Sequence, residues 1–328
     1  MGGSNSTSKL IRHGVPQGSV LGPFLFLIYI NDLHKCIKSC ETYHFADDTH
    51  LLKFSNSLDT LCKKVNLDLR NVSCWLKANK ISLNAGKTEF LIFRSQRKQL
   101  DFIPVLKVDG KRIYPSESVK YLGLYLDEHL SWKTHVDCIA SKLQRANGAL
   151  SKIRHYVPLK TLVNIYHSIF SSHMRYACQV WGLCDNFITH RILTLQKAAL
   201  RLMTFNQPRA PSAPIFSDLK ILTVFDLVKL LNIQFVHKFL NSELPDDTLN
   251  TFAFTKISHS YRTRGNALGL LVEPDFNTRT FGTFSLSKAS ISDWNSLQYK
   301  HPSTNLSNVN RKQIKTLATQ YFINSYLD

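Results

Sequence analysis

Leu58, Leu61, Cys62, Val65, Leu69, Val72 and Leu76 recur three and four residues apart. That is the period of an amphipathic helix, and it predicts one helix over 57–79. Trp132, Val136, Ile139, Leu143, Ala146, Leu150 and Ile153 repeat the pattern, with Lys142, Arg145 and Lys152 clustered on another side of the same helix. Further helices are predicted at 158–174 and 186–205. The stretch "NQPRAPSAP" (206–214) places three prolines in nine residues and reads as a linker. Mostly helical sequence follows to about 241. The tail, 242–328, is polar and weakly patterned, with short strands expected near 266–285 and a terminal helix near 310–325. No internal repeat is visible.

Nearer the start the period shortens. Residues 14–35 read as a Gly/Pro-rich loop entering a buried helix from near Pro23 to about His34. Residues 42–46 and 50–54 read as short apolar strands, with "ADDT" as a tight hairpin between them. Strands are also expected at 88–94 ("TEFLIFR") and 118–127 ("SVKYLGLYLD"). Residues 105–114 predict a hairpin about Asp109-Gly110, because Asp-Gly suits the positive φ angles of a primed turn.

Composition narrows the partner. The chain has 328 residues, 44% of them hydrophobic, with 41 Lys and Arg against 23 Asp and Glu, for a net charge of +18. A surplus of that size favours an anionic partner, nucleic acid first. Seven cysteines without a CxxC pair suggest a reducing compartment. His173, Cys178, Cys184 and His190 have spacings that match no common zinc pattern. The opening "MGGSNSTSKLIRHG" has no apolar segment before Val15 and does not read as a signal peptide. "VLGPFLFLIYI" (20–30) is too short to span a bilayer. The expectation is an intracellular protein, nuclear or cytoplasmic, with no membrane partner.

The candidate chemistry sits at the predicted hairpin tip. Asp47 and Asp48 are adjacent like charges between apolar strands, and a divalent cation would relieve their repulsion. "GVPQGSVLGP" lies upstream and "SLNAGKTEFLIF" downstream. In this order, these stretches, "FADD" and "VKYLGLYLD" resemble motifs B, D, C and E of the reverse transcriptases of non-LTR (LINE-type) retrotransposons. "HVDCIASKLQRANGALSKI" and "LQKAALRLM" are similar to the thumb and post-thumb helices of the same elements. The resemblance covers about 12–240.

It implies an α+β fold: a partial right-hand polymerase palm, with an antiparallel sheet and helices, over 14–127, after a start unlike the family at 1–13. A helical thumb and post-thumb would follow over 128–205, then the linker 206–214 and a C-terminal region, 215–328. It implies RNA-templated DNA synthesis by two-metal nucleotidyl transfer, with Mg²⁺ or Mn²⁺ as the ion. Asp47 would be the main metal ligand and Asp48 a weaker one; carboxylates supply the hard oxygens magnesium requires. Lys87 would give a proton or its charge to departing pyrophosphate. Gly14, Gln17 and Gly18 would lie beside the incoming nucleotide and template. Tyr121 and Gly123 would hold the primer end, whereas Leu122 reads better as strand packing. Lys142, Arg145 and Lys152 would face the nucleic-acid backbone. The partners implied are an RNA template, a DNA primer or their hybrid, and a deoxynucleoside triphosphate.

One expectation runs the other way. The family's motif A precedes motif B and carries the aspartate that completes the metal site, yet the residues before Gly14 contain no Asp or Glu. The basic residues of the fingers are not found either. The sequence therefore reads as N-terminally truncated, with weak metal binding and no polymerisation by the chain alone. Without a motif A strand, the hairpin would show an unpaired edge and an uncovered apolar surface. Two other readings stand beside this one: a non-catalytic protein binding RNA or RNA–DNA hybrid, and an unselected reading frame.

Overall fold

The computed structural model describes residues 14–15, 18–252, 268–275 and 285–326. The chain divides into two compact units, Met1–Val119 and Lys120–Asp328. The architecture is mixed helix and strand, as expected for α+β.

The first unit is organised by one long helix. It contains α1 (Leu21–Ile30), a 3₁₀ turn (Leu33–Cys36), β1 (Glu41–Phe45), β2 (Asp48–Leu52), α2 (Leu58–Ala78), β3 (Leu106–Val108) and β4 (Lys111–Ile113). The Ser57 hydroxyl accepts the Thr60 N–H at 3.3 Å and starts α2, with Asp59 in the first turn; both complement a helix N-terminus. The apolar stripe of α2 supplies Val72 and Leu76 to a small core with Ile30, Leu33 and Ile37, against which Leu51, Trp75, Ile81 and Leu83 pack. The β3–β4 hairpin turns at Asp109 (φ 49°) and Gly110 (φ 81°), the positive angles expected of Asp-Gly. It docks on α2: Asn66 accepts the Lys107 N–H at 2.8 Å, and Asp109 accepts from Ser73 and pairs with Lys77.

Three expectations for this stretch need correction. The helix before the hairpin begins at Leu21 and ends at Ile30, and only Gly22 and Ile30 of it are buried. Its sequence is apolar on all sides, so the small core covers one stripe and leaves Leu21, Phe24, Leu25, Leu27, Ile28 and Tyr29 exposed. "TEFLIFR" forms no strand; Phe90 makes a single bridge to Pro115, and one bridge cannot hold an extended ladder. Residues 118–127 form two strands, β5 (Ser118–Tyr121) and β6 (Leu124–Asp127), which pair with each other. Leu122 (φ 44°) and Gly123 (φ 86°) turn the chain between them. Among the described residues the strands form three separate two-stranded sheets rather than one larger sheet.

The second unit is helical. After β6 come α3 (Lys133–Ile153), α4 (Leu159–Ile165), a π-helical segment (Tyr166–Ser171), α5 (Ser172–Arg175), α6 (Cys178–Trp181) and α7 (Asn186–Met203). Then follow α8 (Ala213–Asp218), α9 (Val224–Leu240), α10 (Asp246–Thr251), α11 (Leu286–Lys300) and α12 (Arg311–Asn324). The predicted stripe of α3 is buried as read: Val136, Ile139, Leu143, Ala146 and Leu150 join Tyr166, Phe170, Trp181, Ile192 and Leu200 in one core. Gln196 threads that core without an orphaned amide, donating to Tyr166 Oη and the Leu222 carbonyl and accepting the Val224 N–H. A second core joins α9, α11 and α12 through Ile233, Val236, Trp294, Ile314 and Phe322. The proline-rich stretch ends inside α8, with a proline in the first turn where its missing N–H is harmless. In the tail, α12 matches the predicted terminal helix, while α10 and α11 were not legible. Residues 268–275 form no strand; the rest of the expected strand region lies outside the described residues, as do 1–13 and most of 259–269.

A half-buried carboxyl on α11, beside the second core, has a pH consequence. Asp293 accepts from Asn232 Nδ2 at 2.8 Å, and burial pushes its carboxyl up to about 6, against the Asn232 bond and Lys229. An acid whose folded pKa lies above its unfolded value takes up protons on folding. Its contribution is therefore full below the unfolded value and is lost as pH rises through the folded one. Asp293→Asn should raise stability at pH 7 by on the order of 2 kcal/mol and change little at pH 4; denaturant titrations at both values check this, and an equal effect at both contradicts it.

Candidate functional site

Asp47 and Asp48 lie at the tip of the β1–β2 hairpin, both exposed. The ladder runs Glu41↔Leu52 to Phe45↔Asp48, which leaves Ala46 and Asp47 as a two-residue turn and makes Asp48 the first residue of its strand. The second strand thus starts two residues earlier than the hydrophobic pattern suggested. Ala46 takes φ 52°, a left-handed conformation that is unfavourable for a residue with a Cβ by about 1 kcal/mol. The two aspartates are therefore fixed by a strained, short connection rather than by a free loop.

The two faces of the hairpin differ. Thr42, His44, Thr49 and Leu51 share one face, and Leu51 packs on the unit's core. Asp48 shares the other with Tyr43, Phe45 and His50. Tyr43 and Phe45 are exposed, and no third strand joins this two-stranded sheet among the described residues. Burial holds His50 below its ordinary pKa against the pull of the Asp48 carboxylate. His44 is lowered by burial and by His34 and His50, and its Nδ1 lies 3.2 Å from the Thr49 hydroxyl. The histidines are thus biased toward neutrality.

The root of the hairpin is held by a residue that the sequence reading passed over. Asp68, on α2, is buried. Its carboxylate accepts the N–H groups of Lys38 (3.0 Å), Ser39 (2.8 Å) and Cys40 (2.8 Å), directly before β1. Burial would raise its pKa, but the backbone N–H groups and the Cys40 thiol reverse that and hold it below the usual carboxylate range. Lys53, at the other root, donates to the Ser39 carbonyl. The signal was available: an aspartate at position 68 falls between the apolar positions 65, 69 and 72 of α2, where a charge needs a partner.

The other candidate residues are placed as follows. Lys87 is exposed in a turn, with its N–H bonded to the Asn84 carbonyl, and does not open a strand. Among the described residues no ion pair joins it to Asp47 or Asp48. Gly14 (φ 80°) and Gly18 (φ 86°) take angles that require glycine; Gln17 lies outside the described residues.

Tyr121 and Gly123 belong to the β5–β6 hairpin, whose turn is held within the second unit. Tyr176 donates its hydroxyl to the Leu122 carbonyl at 2.6 Å, and a Cβ on Gly123 would meet the Tyr176 ring at 3.4 Å. His135, pushed down to about 4 by burial and then by Lys142, accepts the Tyr125 N–H at 3.3 Å. Asp127 accepts the N–H groups of His129, Ser131 and Trp132 and the Ser131 hydroxyl, shaping the entry to α3. None of these tertiary partners follows a sequence period. On α3, Arg145 and Lys152 are exposed and Lys142 half-buried, on the side away from the apolar stripe.

Two adjacent carboxylates offer the hard oxygens a divalent cation requires. Their number falls short, since no group of three or more His, Cys, Asp and Glu that could hold a metal occurs among the described residues. No helix of the described residues is long and apolar enough to cross a membrane.

Comparison with known proteins identifies the family. Residues 1–126 match the family described as reverse transcriptase (RNA-dependent DNA polymerase). The chain is 31% identical over 230 residues to the "Probable RNA-directed DNA polymerase from transposon X-element" of Drosophila melanogaster, covering 67% of this chain and 25% of that protein. It is 29% identical over 241 residues to the "RNA-directed DNA polymerase from mobile element jockey" of the same species, covering 70% of this chain and 26% of that protein. A Pol polyprotein from the type-1 retrotransposable element R1 of Bradysia coprophila matches at 23% over 186 residues, covering 55% and 18%. The chain thus spans about a quarter of the length of the first two relatives. No solved structure matches.

Asp68→Ala should remove the acceptor of three backbone N–H groups and destabilise the first unit by about 3 kcal/mol. Hydrogen exchange should accelerate at Lys38, Ser39 and Cys40 and along β1 and β2. Unchanged exchange there would show that the carboxylate does not hold the hairpin.

Proposed function

Because residues 1–126 of this chain are reverse transcriptase sequence of the LINE type, we propose that the Asp47–Asp48 hairpin is the metal-binding tip of a polymerase palm that serves RNA-templated DNA synthesis. The observation that carries the reading is the pair of exposed carboxylates held at a strained two-residue turn. In this reading residues 14–127 are the palm, residues 128–205 the thumb and post-thumb helices, and 215–328 a C-terminal region beyond the linker 206–214.

Asp47 and Asp48 would hold Mg²⁺ or Mn²⁺, which supplies charge stabilisation in nucleotidyl transfer. Two carboxylates do not complete such a site, so no step is assigned to the ion here. Gly14 and Gly18 would lie beside template and incoming nucleotide, where a backbone free of Cβ atoms permits close approach, and Gln17 would offer its amide there. Lys87 neutralises the leaving pyrophosphate. Tyr121 and Gly123, on the hairpin braced by Tyr176 and His135, hold the primer end. Lys142, Arg145 and Lys152 bind phosphates without reading sequence.

The absence of a third strand on β1–β2 among the described residues and the exposed Tyr43 and Phe45 beside Asp48 support a third carboxylate supplied on an added strand. The 328 residues alone then bind primer–template without extending it. A primer-extension assay with Mg²⁺ or Mn²⁺ should give no template-dependent product, while affinity for RNA–DNA hybrid falls steeply with salt. Extension that Asp47→Ala abolishes would contradict the inactivity of this chain. Affinity indifferent to salt would contradict its phosphate contacts.

A further inference from the structure

The chain's positive charge is concentrated. Residues 138–217 contain ten Lys and Arg and a single acid, Asp185, a surplus of nine and half of the whole chain's +18. Asp185 is occupied as the N-terminal cap of α7, accepting the Phe187 N–H at 3.0 Å. Helices α3 and α7 run parallel, because their cross-links keep the same order along both. Asp137 pairs with Arg191, Asn147 donates to the Leu195 carbonyl and Arg154 donates to the Leu202 carbonyl. Both helices therefore end at the same level, far along α7 from its one acid.

At that end the surface has a particular composition. Lys152 and Arg201 lie in the last turns of α3 and α7. Cations there complement the helix dipole and need no ligand. The aromatic residues beside them are not explained that way. Tyr156 is 85% exposed and Phe205 55%, and large rings left in water forfeit burial free energy. The Arg154 guanidinium lies 4.9 Å from the centre of the Phe205 ring. The His155 ring meets the same phenyl edge-on at 5.2 Å. Phe205 is thus held in place rather than free to collapse onto the core. Its backbone has φ 56°, a strained angle for an aromatic residue.

We propose that the shared C-terminal end of α3 and α7 binds single-stranded nucleic acid. Tyr156 and Phe205 stack on unpaired bases, and Lys152, Arg154 and Arg201 hold the phosphates between them. Paired bases keep their faces inside the duplex, so the rings discriminate for single strands while the cations attract either form. Base stacking and phosphate contacts are common to RNA and DNA, so strands of both kinds bind. This site shares Lys152 with the backbone contacts proposed above and none of the catalytic residues: it is read by binding without synthesis, so a chain that fails to polymerise can still pass the test.

The test is fluorescence anisotropy of the full chain with labelled oligo-U, oligo-dT and a blunt duplex of about 12 nucleotides, from about 50 to 200 mM salt. The chain should bind both single strands with steep salt dependence. Tyr156→Ala combined with Phe205→Ala should lower single-strand affinity about tenfold or more and leave duplex affinity within about twofold. Tyr156→Phe should retain binding, because the ring is kept. Should loss of the Phe205 ring unfold the helix ends, Tyr156→Ala alone, at the more exposed position, gives the same reading. Equal loss for single strand and duplex, no loss for either, or binding of phosphatidylserine vesicles without binding of oligonucleotide would each overturn the proposal.

Discussion

A buried carboxylate cannot stay ionised without compensation, and in the first unit that constraint sets the geometry of everything nearby. Asp68 resolves it by gathering three consecutive N–H groups at the root of β1. One side chain thereby connects the most regular element of the unit, α2, to the hairpin that carries Asp47 and Asp48. The core beneath is small, with five buried apolar residues, and would orient a two-stranded hairpin poorly by packing alone. Charge-assisted hydrogen bonds are directional where apolar contacts are not. The hairpin tip can then hold two repelling aspartates at a strained turn because its root is fixed.

The second unit solves a comparable problem with different chemistry. The β5–β6 hairpin has little core of its own. Its turn is braced by the Tyr176 hydroxyl on the Leu122 carbonyl, and its second strand by His135 and Asp127 at the entry to α3. Behind it stands a helical core large enough to be insensitive to detail. In both units a short hairpin carries the candidate residues, and a long helix supplies the polar anchor that positions it.

What was legible in the sequence follows from this division. The helices α2 and α3 were readable because their burial is periodic, and a period is a property of sequence alone. The two-residue turns at Asp109-Gly110 and at "FADD" were readable for a related reason: tight turns restrict residue type locally. The turn at Leu122-Gly123 carries the same glycine signal but was hidden inside an unbroken apolar run. "TEFLIFR" failed in the opposite sense, since strand propensity cannot show whether a partner strand is present. The exposed face of α1 was misread as buried because apolar content reports what a surface would bury, not what is there to cover it. Asp47 and Asp48 were found through their neighbours in sequence. Asp68, His135 and Tyr176 were not, because their partners lie 10 to 54 residues away. The family was legible in the ordered motifs, and comparison with the retrotransposon polymerases bears it out; an uncovered apolar hairpin face was expected from the same motifs, but that Tyr43 and Phe45 form it beside Asp48 is visible only in three dimensions.

The central claim is that the Asp47–Asp48 tip is a divalent-cation site with part of its ligand set. Titration of the ¹⁵N-labelled chain with Mn²⁺, followed by paramagnetic broadening of backbone amides, tests it most directly. The account predicts broadening that begins at residues 46–49, with a dissociation constant weaker than about 10⁻⁴ M, and that disappears in Asp47→Ala. Broadening centred on any other part of the chain, or a pattern unchanged by Asp47→Ala, would contradict it.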